Sequence, residues 1–374
     1  MSTIAIPRST TSLQISLPVS GCDCGTVQGL QFMARELAQF LDLSHIYMAY
    51  EDQLEGEVRD AFYLPAQTLN LDQAKRLGIH CAAQLYGGVV PHDFLAYKTV
   101  AHPLAQSDMD RPAGWNNDLA KALGPTVLPG YSAFSIPDAL RAMSLLDQAG
   151  HTGIRIKLAR ASAGEGQRVV YSRQQLEELL ALPPWQEQVE HGLVLEENLL
   201  ESQTFSVGQT QIGEHLFSYI GQQHQTHNRQ QESVYGGTTL LMVRGGFDAL
   251  LQLSGMQRIQ YLIDLAMNYE SRITQAYPSL YASRRNYDVI VGRDARGNYQ
   301  AAVLEHSWRC GGASIAEILA MRSLQNHPEQ GHTHAWTRER YMDDPDLVRQ
   351  SPHLYSLQQL GNGYLARFGG PLSS

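Results

Sequence analysis

The chain has 374 residues and a formal net charge of −9, from 28 Lys and Arg against 37 Asp and Glu. This acidic balance argues against non-specific nucleic-acid binding, which needs a basic surface, but it allows a local cationic pocket for a phosphorylated ligand. Apolar residues make up 43% of the sequence, and at roughly 100–200 residues per domain the length predicts two or three units.

The sequence shows no targeting or membrane signal. No stretch approaches about 18 apolar residues, and the N-terminal segment does not join a basic start to an apolar run. The spacing of the cysteines favours reduced thiols over a disulfide or a zinc site. We therefore expect a cytoplasmic protein without a membrane or nucleic-acid partner.

An N-terminal α/β unit is predicted over residues 1–95. Residues 1–20 have the composition of a loosely ordered arm, and apolar residues on one face predict a helix from about Gln28 to Leu43. The short apolar segment Ile46–Tyr50 is typical of a buried strand. The glycines and proline of Gly87–Pro91 then break the pattern.

A central region over residues 96–200 alternates predicted strands and helices after a loop-rich start. A helix is expected from Pro137 to about Ala149, followed by strands at Gly153–Leu158 and Arg168–Tyr171. Ser172 is a suitable N-cap for the next helix, because its hydroxyl can accept from the first unpaired amides.

Residues 201–325 are predicted to form a third unit, followed by a polar, turn-rich tail over residues 326–374. The segments Thr204–Gln211 and His215–Ile220 alternate as the strands of a hairpin do. The Gln- and His-rich segment Gln222–Glu232 is predicted to be a loop.

Lys157 ends an apolar strand immediately before the small-residue loop Ala161–Gly166. Glycines let the backbone approach a ligand closely, so the lysine and the loop amides together suit a phosphate. The alternative is a solvated lysine beside a glycine-bearing hairpin.

Glu196 and Glu197 follow the apolar residues of the segment Gly192–Glu196. Two carboxylates at the end of a hydrophobic strand are costly to bury unless they are bonded. Backbone groups and a carboxylate at this point can bond an adenine amine or ribose hydroxyls. An ordinary strand leaving the core is the alternative.

A second predicted hairpin, Tyr287–Gly292 with Tyr299–Glu305, surrounds a turn that needs a positive φ at Gly297. Asp288 and Glu305 lie at nearly equal separations from this turn. Pairing of the two strands would therefore bring the two carboxylates together.

Ser307 and Arg309 share the side of the sheet on which Glu305 lies, because side chains alternate along a strand. Two converging carboxylates with a neutral oxygen suit Mg²⁺, which favours oxygen ligands and shared phosphates. Arg309 would add positive charge for a transferring phosphoryl group. A surface hairpin with a cross-strand salt bridge is the alternative.

These three elements, in this order, resemble the ATP-grasp superfamily over about residues 95–325. The segments Tyr86–Pro91 and Glu305–Gly312 are similar to a bacterial family within it. The resemblance implies an α/β and α+β architecture with an N-terminal Rossmann-like domain, a small central lid and a C-terminal α+β domain. It also implies that ATP and Mg²⁺ are bound between the last two.

The resemblance further implies roles for particular residues. The set comprises the catalytic Lys157 and Arg309, a first ATP lysine at Lys98 or Lys121, the phosphate loop residues Ser162, Gly164 and Gly166, the nucleotide hinge Glu196, Glu197, Leu199 and Gln203, and the metal ligands Asp288, Glu305 and Ser307.

Two of the departures from the family pattern concern residue types in the site. Ser307 stands where the family usually has Asn, and Gln203 or Thr204 stands where an acidic residue often binds ribose. Lys98 is the preferred first lysine because it follows an apolar segment.

The implied reaction is that of a ligase. A substrate carboxylate attacks the γ-phosphate of ATP, and an amine or similar nucleophile then displaces phosphate from the acylphosphate. Expected partners are these two small molecules and a second copy of the chain in a homodimer. Ser307 motivates the alternative of an ATP-binding module without turnover that acts through a partner.

Overall fold

The structure, a computed structural model, describes residues 10–18, 24–54, 61–161, 166–253 and 259–372. The strands are β1 (Ser12–Leu17), β2 (His45–Tyr50), β3 (Ala61–Pro65), β4 (Leu69–Asn70), β5 (Gly88–Val90), β6 (Gly130–Ala133), β7 (Ile154–Leu158), β8 (Gln167–Val170), β9 (Leu193–Glu197), β10 (Leu200–Ile212), β11 (His215–His227), β12 (Ser233–Arg244), β13 (Tyr281–Ala282), β14 (Arg284–Arg293), β15 (Tyr299–Ser307), β16 (His332–Met342), β17 (Leu354–Leu360) and β18 (Gly363–Pro371). The helices are α1 (Cys24–Phe40), α2 (Leu71–Arg76), α3 (Asn117–Leu123), α4 (Ile136–Gln148), α5 (Arg173–Leu180), α6 (Pro183–Gln188), α7 (Phe247–Leu251), α8 (Gln260–Ala276) and α9 (Ser314–Asn326).

The N-terminal unit is an open parallel sheet, in the order β2-β1-β3, covered by α1. Leu30, Leu37 and their neighbours form the apolar face of the helix, which packs against β1. The expectation of a loosely ordered arm is wrong for Ser12–Leu17, because all six residues of that strand are buried. Ile46–Tyr50 is a strand as predicted, but most of its residues are exposed, so the prediction of burial is wrong.

The central lid is an antiparallel sheet in the order β6-β9-β7-β8. Its apolar side packs against α4 and α5 through residues such as Met143, Ile156 and Leu176. Ser172 caps α5 as expected, accepting a hydrogen bond from the Gln175 amide at 3.2 Å.

The largest sheet of the described chain has eight strands in the order β15-β14-β10-β11-β12-β16-β18-β17. Because side chains alternate along each strand, one face packs on α1 and α9 through residues such as Tyr219, while the other packs on α8 through residues such as Val289. The sheet is therefore covered on both sides.

Two predicted irregular segments are strands of this sheet. The Gln-rich segment Gln222–Glu232 is not a loop along its whole length, because β11 continues to His227. The expected tail after residue 326 instead supplies β16, β17 and β18, which extend the sheet beyond β12.

The predicted fold class is confirmed: an N-terminal Rossmann-like unit, a small lid and a C-terminal α+β unit follow one another along the chain. Among the described residues, no helix combines the length and the apolar character needed to cross a membrane.

Candidate functional site

The hairpin of β14 and β15 places the two predicted acidic residues directly opposite each other. Asp288 and Glu305 are cross-strand partners, with a bulge immediately after Asp288. Gly297 has a φ of 84°, the positive value that the turn was expected to need. Ser307 lies two residues beyond Glu305 and pairs with Asn286.

Asp288 is held by neighbouring polar side chains. Its Oδ1 accepts hydrogen bonds from the Ser206 hydroxyl at 3.1 Å and from Asn286 Nδ2 at 2.9 Å. Burial and the nearby charge of Glu305 raise the pKa of the Asp288 carboxyl. A cation between the two carboxylates would relieve this repulsion.

Lys98 lies against the Glu305 carboxylate, with its Nζ 3.0 Å from Oε2, and also donates to the Ala161 carbonyl at 2.6 Å. Burial would by itself raise the pKa of Glu305, but the ammonium groups of Lys98 and Lys157 lower it below its usual value. Lys121, the alternative first lysine, is 75% exposed and contacts Asp118 instead.

Lys157 is buried at the end of β7 and forms an ion pair with Glu196 on the adjacent strand β9, at 2.5 Å. The second Glu196 oxygen accepts from His102 Nε2 at 3.1 Å. Burial opposes ionisation of Glu196, but Lys157 and His102 outweigh it and lower the pKa to about 2. The carboxylate is thus engaged with these two partners at the wall of the cavity.

Arg309 follows β15 and lines the same cavity as Glu305. Its guanidinium donates to the Cys310 carbonyl at 2.8 Å, and among the described residues it has no carboxylate within ion-pair distance. Buried Arg284 donates to the carbonyls of Ser307 and Arg309, which fixes the backbone that presents both side chains.

The cavity has an apolar slot beside the hinge. Leu128, Leu199 and Ile290 form one buried cluster, against which Leu304 packs, and all four line the cavity. Leu128 and Leu199 adjoin the lid strands, whereas Ile290 and Leu304 belong to the hairpin. A flat apolar ring could lie between these two pairs of side chains. Glu197 is at the same hinge, where its carboxylate contacts His151 Nδ1 at 3.0 Å.

One cavity of about 810 Å³ collects most of the predicted site. The predicted residues that line it are Lys157, Glu196, Glu197, Leu199, Gln203, Asp288, Glu305, Ser307 and Arg309. Ser162 and Gly164 lie outside the described residues. Gly166 comes directly before β8 and has a φ of 59°. Its carbonyl accepts a hydrogen bond from the amide of Leu158 in β7.

Sequence reasoning missed several residues of the site. His102 lies 94 residues before Glu196, and Ser206 lies 82 residues before Asp288, so no local pattern connects them. Gln223 donates to the Ser206 hydroxyl at 2.9 Å from a segment that had been predicted to be a loop. The stretch from Gly221 to His227 has no apolar side chain to alternate with the polar ones, so the sequence carries no signal for a strand there.

The residues at the hairpin fit a magnesium ion shared with phosphates. Both donors to Asp288 reach Oδ1, so its second oxygen is not used by them, and Glu305 adds a second carboxylate. Ser307 offers a neutral oxygen. Mg²⁺ commonly takes one or two carboxylates and completes its shell with water and substrate phosphates.

Comparison with solved structures finds the same fold. The chain is similar to N5-carboxyaminoimidazole synthetase from Staphylococcus aureus, with 14% identity and a TM-score of 0.55, over 100% of this chain and 96% of that chain. It is also similar to biotin carboxylase from Campylobacter jejuni, with 11% identity and a TM-score of 0.54, over 97% of this chain and 87% of that chain.

Sequence comparison gives a family. No curated protein matches the chain. The model of a family described as "Protein of unknown function (DUF3182)" matches residues 24–368. The chain therefore has the ATP-grasp fold, as the resemblance implied, and it belongs to the DUF3182 family.

Proposed function

We propose that the protein is a Mg²⁺- and ATP-dependent ligase that activates a carboxylate as an acylphosphate for attack by an amine or a similar nucleophile. One observation carries the proposal: a cation from the lid and acidic residues from the hairpin meet at one cavity. Lys157 of the lid and Arg309, which follows the hairpin, line it together with Asp288 and Glu305. The ATP-grasp fold of the chain supports the same assignment.

Each group has a chemical part in this proposal. The apolar slot at Leu199 takes the adenine ring, and Lys98 and Lys157 neutralise the phosphates. Asp288 and Glu305 hold Mg²⁺, which when bound neutralises charge on the phosphate oxygens. Arg309 binds the transferring phosphoryl group, so catalysis rests on positioning and charge neutralisation.

A Glu305→Gln variant tests the proposal. It removes one metal-binding charge and the partner of Lys98, and we expect phosphate release from ATP to fall about 100-fold or more. Release is measured over a panel of carboxylic acids with amine acceptors. The matched control is Glu201→Gln, because Glu201 pairs with Arg293 of the same hairpin but is 79% exposed and outside the cavity.

Retained release in a folded Glu305→Gln variant would contradict the metal assignment. The alternative of a binding module without turnover rests on Ser307, whose hydroxyl donates to the Arg309 carbonyl at 3.2 Å. Binding of ATP by the unaltered protein without release under any acceptor pair would favour that alternative.

A further inference from the structure

The cavity is also lined by an ion pair that is not among the predicted nucleotide and metal residues. Arg367 on β18 and Glu339 on β16 are cross-strand partners, and Arg367 Nε donates to Glu339 Oε1 at 3.1 Å. Both side chains line the cavity and are 19% and 15% exposed, respectively. The pair is therefore within reach of a small molecule that occupies the cavity.

The guanidinium of Arg367 is held in place from two sides. Its NH1 group donates to Gln358 Oε1 on β17 at 2.9 Å. Gly25 of α1 lies so close that a Cβ there would collide with the Gln358 amide and the Arg367 guanidinium. The first helix thus confines the cation, which presents its charge in a fixed position.

Tyr235 connects this pair to the segment that follows β15. Gly312 has no room for a side chain, because a Cβ there would be 2.5 Å from the Tyr235 ring. The Tyr235 hydroxyl bonds to Thr238 at 2.7 Å and reaches Thr337, two residues before Glu339, at 3.5 Å. The ion pair and Arg309 are therefore on one continuous wall of the cavity.

The charges of this wall are incompletely balanced. Burial raises the pKa of Glu339 even though Arg367 opposes the shift, which means that the carboxylate would gain from a second cation. The Glu339 carboxylate therefore suits the ammonium group of a ligand, and the adjacent Arg367 guanidinium suits a carboxylate of the same ligand.

We propose that Glu339 and Arg367 bind the head group of an α-amino acid, with its ammonium on Glu339 and its carboxylate on Arg367. In such a head group one Cα carries both the ammonium and the carboxylate, so that the two groups can face an anion and a cation that lie side by side, as Glu339 and Arg367 do. Charge-assisted hydrogen bonds in both directions favour this alignment. The inference rests on the proposed function, in which the amino acid is one of the two substrates.

Calorimetric titration of the full-length protein tests the assignment. The protein is first saturated with Mg²⁺ and β,γ-methylene ATP, and the common α-amino acids are then added one at a time. For any that binds, the deaminated carboxylic acid and the decarboxylated amine follow as matched probes. We expect both probes to bind about tenfold more weakly or worse, since each satisfies one partner of the ion pair.

Glu339→Gln and Arg367→Gln are expected to weaken amino-acid binding about tenfold or more while the ATP analogue still binds. Two variants are used so that the test remains informative when one of them does not fold. The matched control is Glu270→Gln, since Glu270 and Arg285 form an ion pair of similar exposure, 14% and 20%, outside the cavity. This control should leave the amino-acid affinity unchanged.

The outcomes separate this inference from the proposed function. If the ATP analogue binds but no amino acid does, or if both variants bind the amino acid as tightly as the unaltered protein, the head-group assignment is wrong and the ligase proposal stands. Equal binding of the deaminated acid also overturns the assignment. Failure of the ATP analogue to bind overturns the proposed function and this inference with it.

Discussion

Glu196 illustrates how much of the site depends on single contacts between distant residues. Its two oxygens engage Lys157 and His102, and both the carboxylate and the lysine are almost fully buried. An isolated charge in such a place would be costly, so each partner needs the other two. The ammonium of Lys157 is therefore fixed at the cavity wall by contacts within the protein itself.

The lowered pKa of Glu196 predicts a pH dependence of stability. The pKa is about 2 in the folded protein against 4.5 for the ordinary group, so the folded state holds the proton less tightly. This stabilisation is present above pH 4.5 and is lost as the pH falls toward 2. At about 1.4 kcal/mol per pH unit it amounts to roughly 3 kcal/mol.

Urea unfolding of the unaltered protein and of Glu196→Gln between pH 5 and pH 2 measures this effect. The variant should be less stable near pH 5, and the difference should shrink as the pH is lowered. A difference that stays constant over this range would show that the Glu196 carboxylate is not the titrating group.

At the scale of secondary-structure elements, the hairpin of β14 and β15 could be predicted from sequence. Only the first part of strand β11 could be predicted in this way. The hairpin has apolar alternation on both sides of a turn that ends in Gly297, which are local signals. The extension of β11 through Gln223 is polar because that part of the strand faces the cavity, and a polar strand has the composition of a loop.

Polar composition also explains why β16 and β18 were not predicted as strands. Their polar residues, such as Glu339 and Arg367, satisfy one another across the two strands, and this pairing is a tertiary contact that composition does not show. Likewise, the local pattern identified Lys157 and Glu196, whereas His102 required the folded chain. Sequence thus predicted residues on regular elements better than the partners that hold them.

The junction between β12 and β16 depends on Gly237. This residue has a φ of 127°, and a Cβ there would collide with the Thr337 carbonyl. Gly237→Ala should therefore destabilise the protein by about 2 kcal/mol or more, since backbone strain and a contact with main-chain atoms add. Thermal unfolding compares it with Gly297→Ala, where φ is 84° but, within the described part of the chain and apart from the two flanking residues, no heavy atom lies within 4 Å of the added Cβ.

The control separates strain from crowding. Gly297→Ala carries a positive-φ penalty alone, about 1 kcal/mol. Equal losses of stability in the two variants would mean that β16 moves away from Gly237 without cost, and that the close approach of the two strands is not needed.

At the scale of the whole molecule, the strands after residue 326 belong to the main core. Ala335, Leu365 and Phe368 are buried, and β16 and β18 pack against α9. Their removal would expose apolar surface of the helix and of β12. These residues therefore behave as part of the C-terminal unit and not as an appended segment.

A chain that ends at Asn326 tests this arrangement. We expect it to lose cooperative thermal unfolding, because the lost burial exceeds the few kcal/mol by which ordinary proteins are stable. Differential scanning calorimetry of the truncated and full chains makes the comparison. A truncated chain with an unchanged melting temperature would show that the three strands are dispensable.

The contact of α1 with β17 has a consequence for biosynthesis. Gln28 accepts hydrogen bonds from the Ser356 hydroxyl and the Leu357 amide, across 328 and 329 residues of sequence. During synthesis α1 leaves the ribosome before β17 and β18 have been made, so the surface of α1 that contacts them is uncovered at first. The cavity wall at Arg367 can close only after β18 has been synthesised, and until then the exposed surface favours aggregation of the nascent chain.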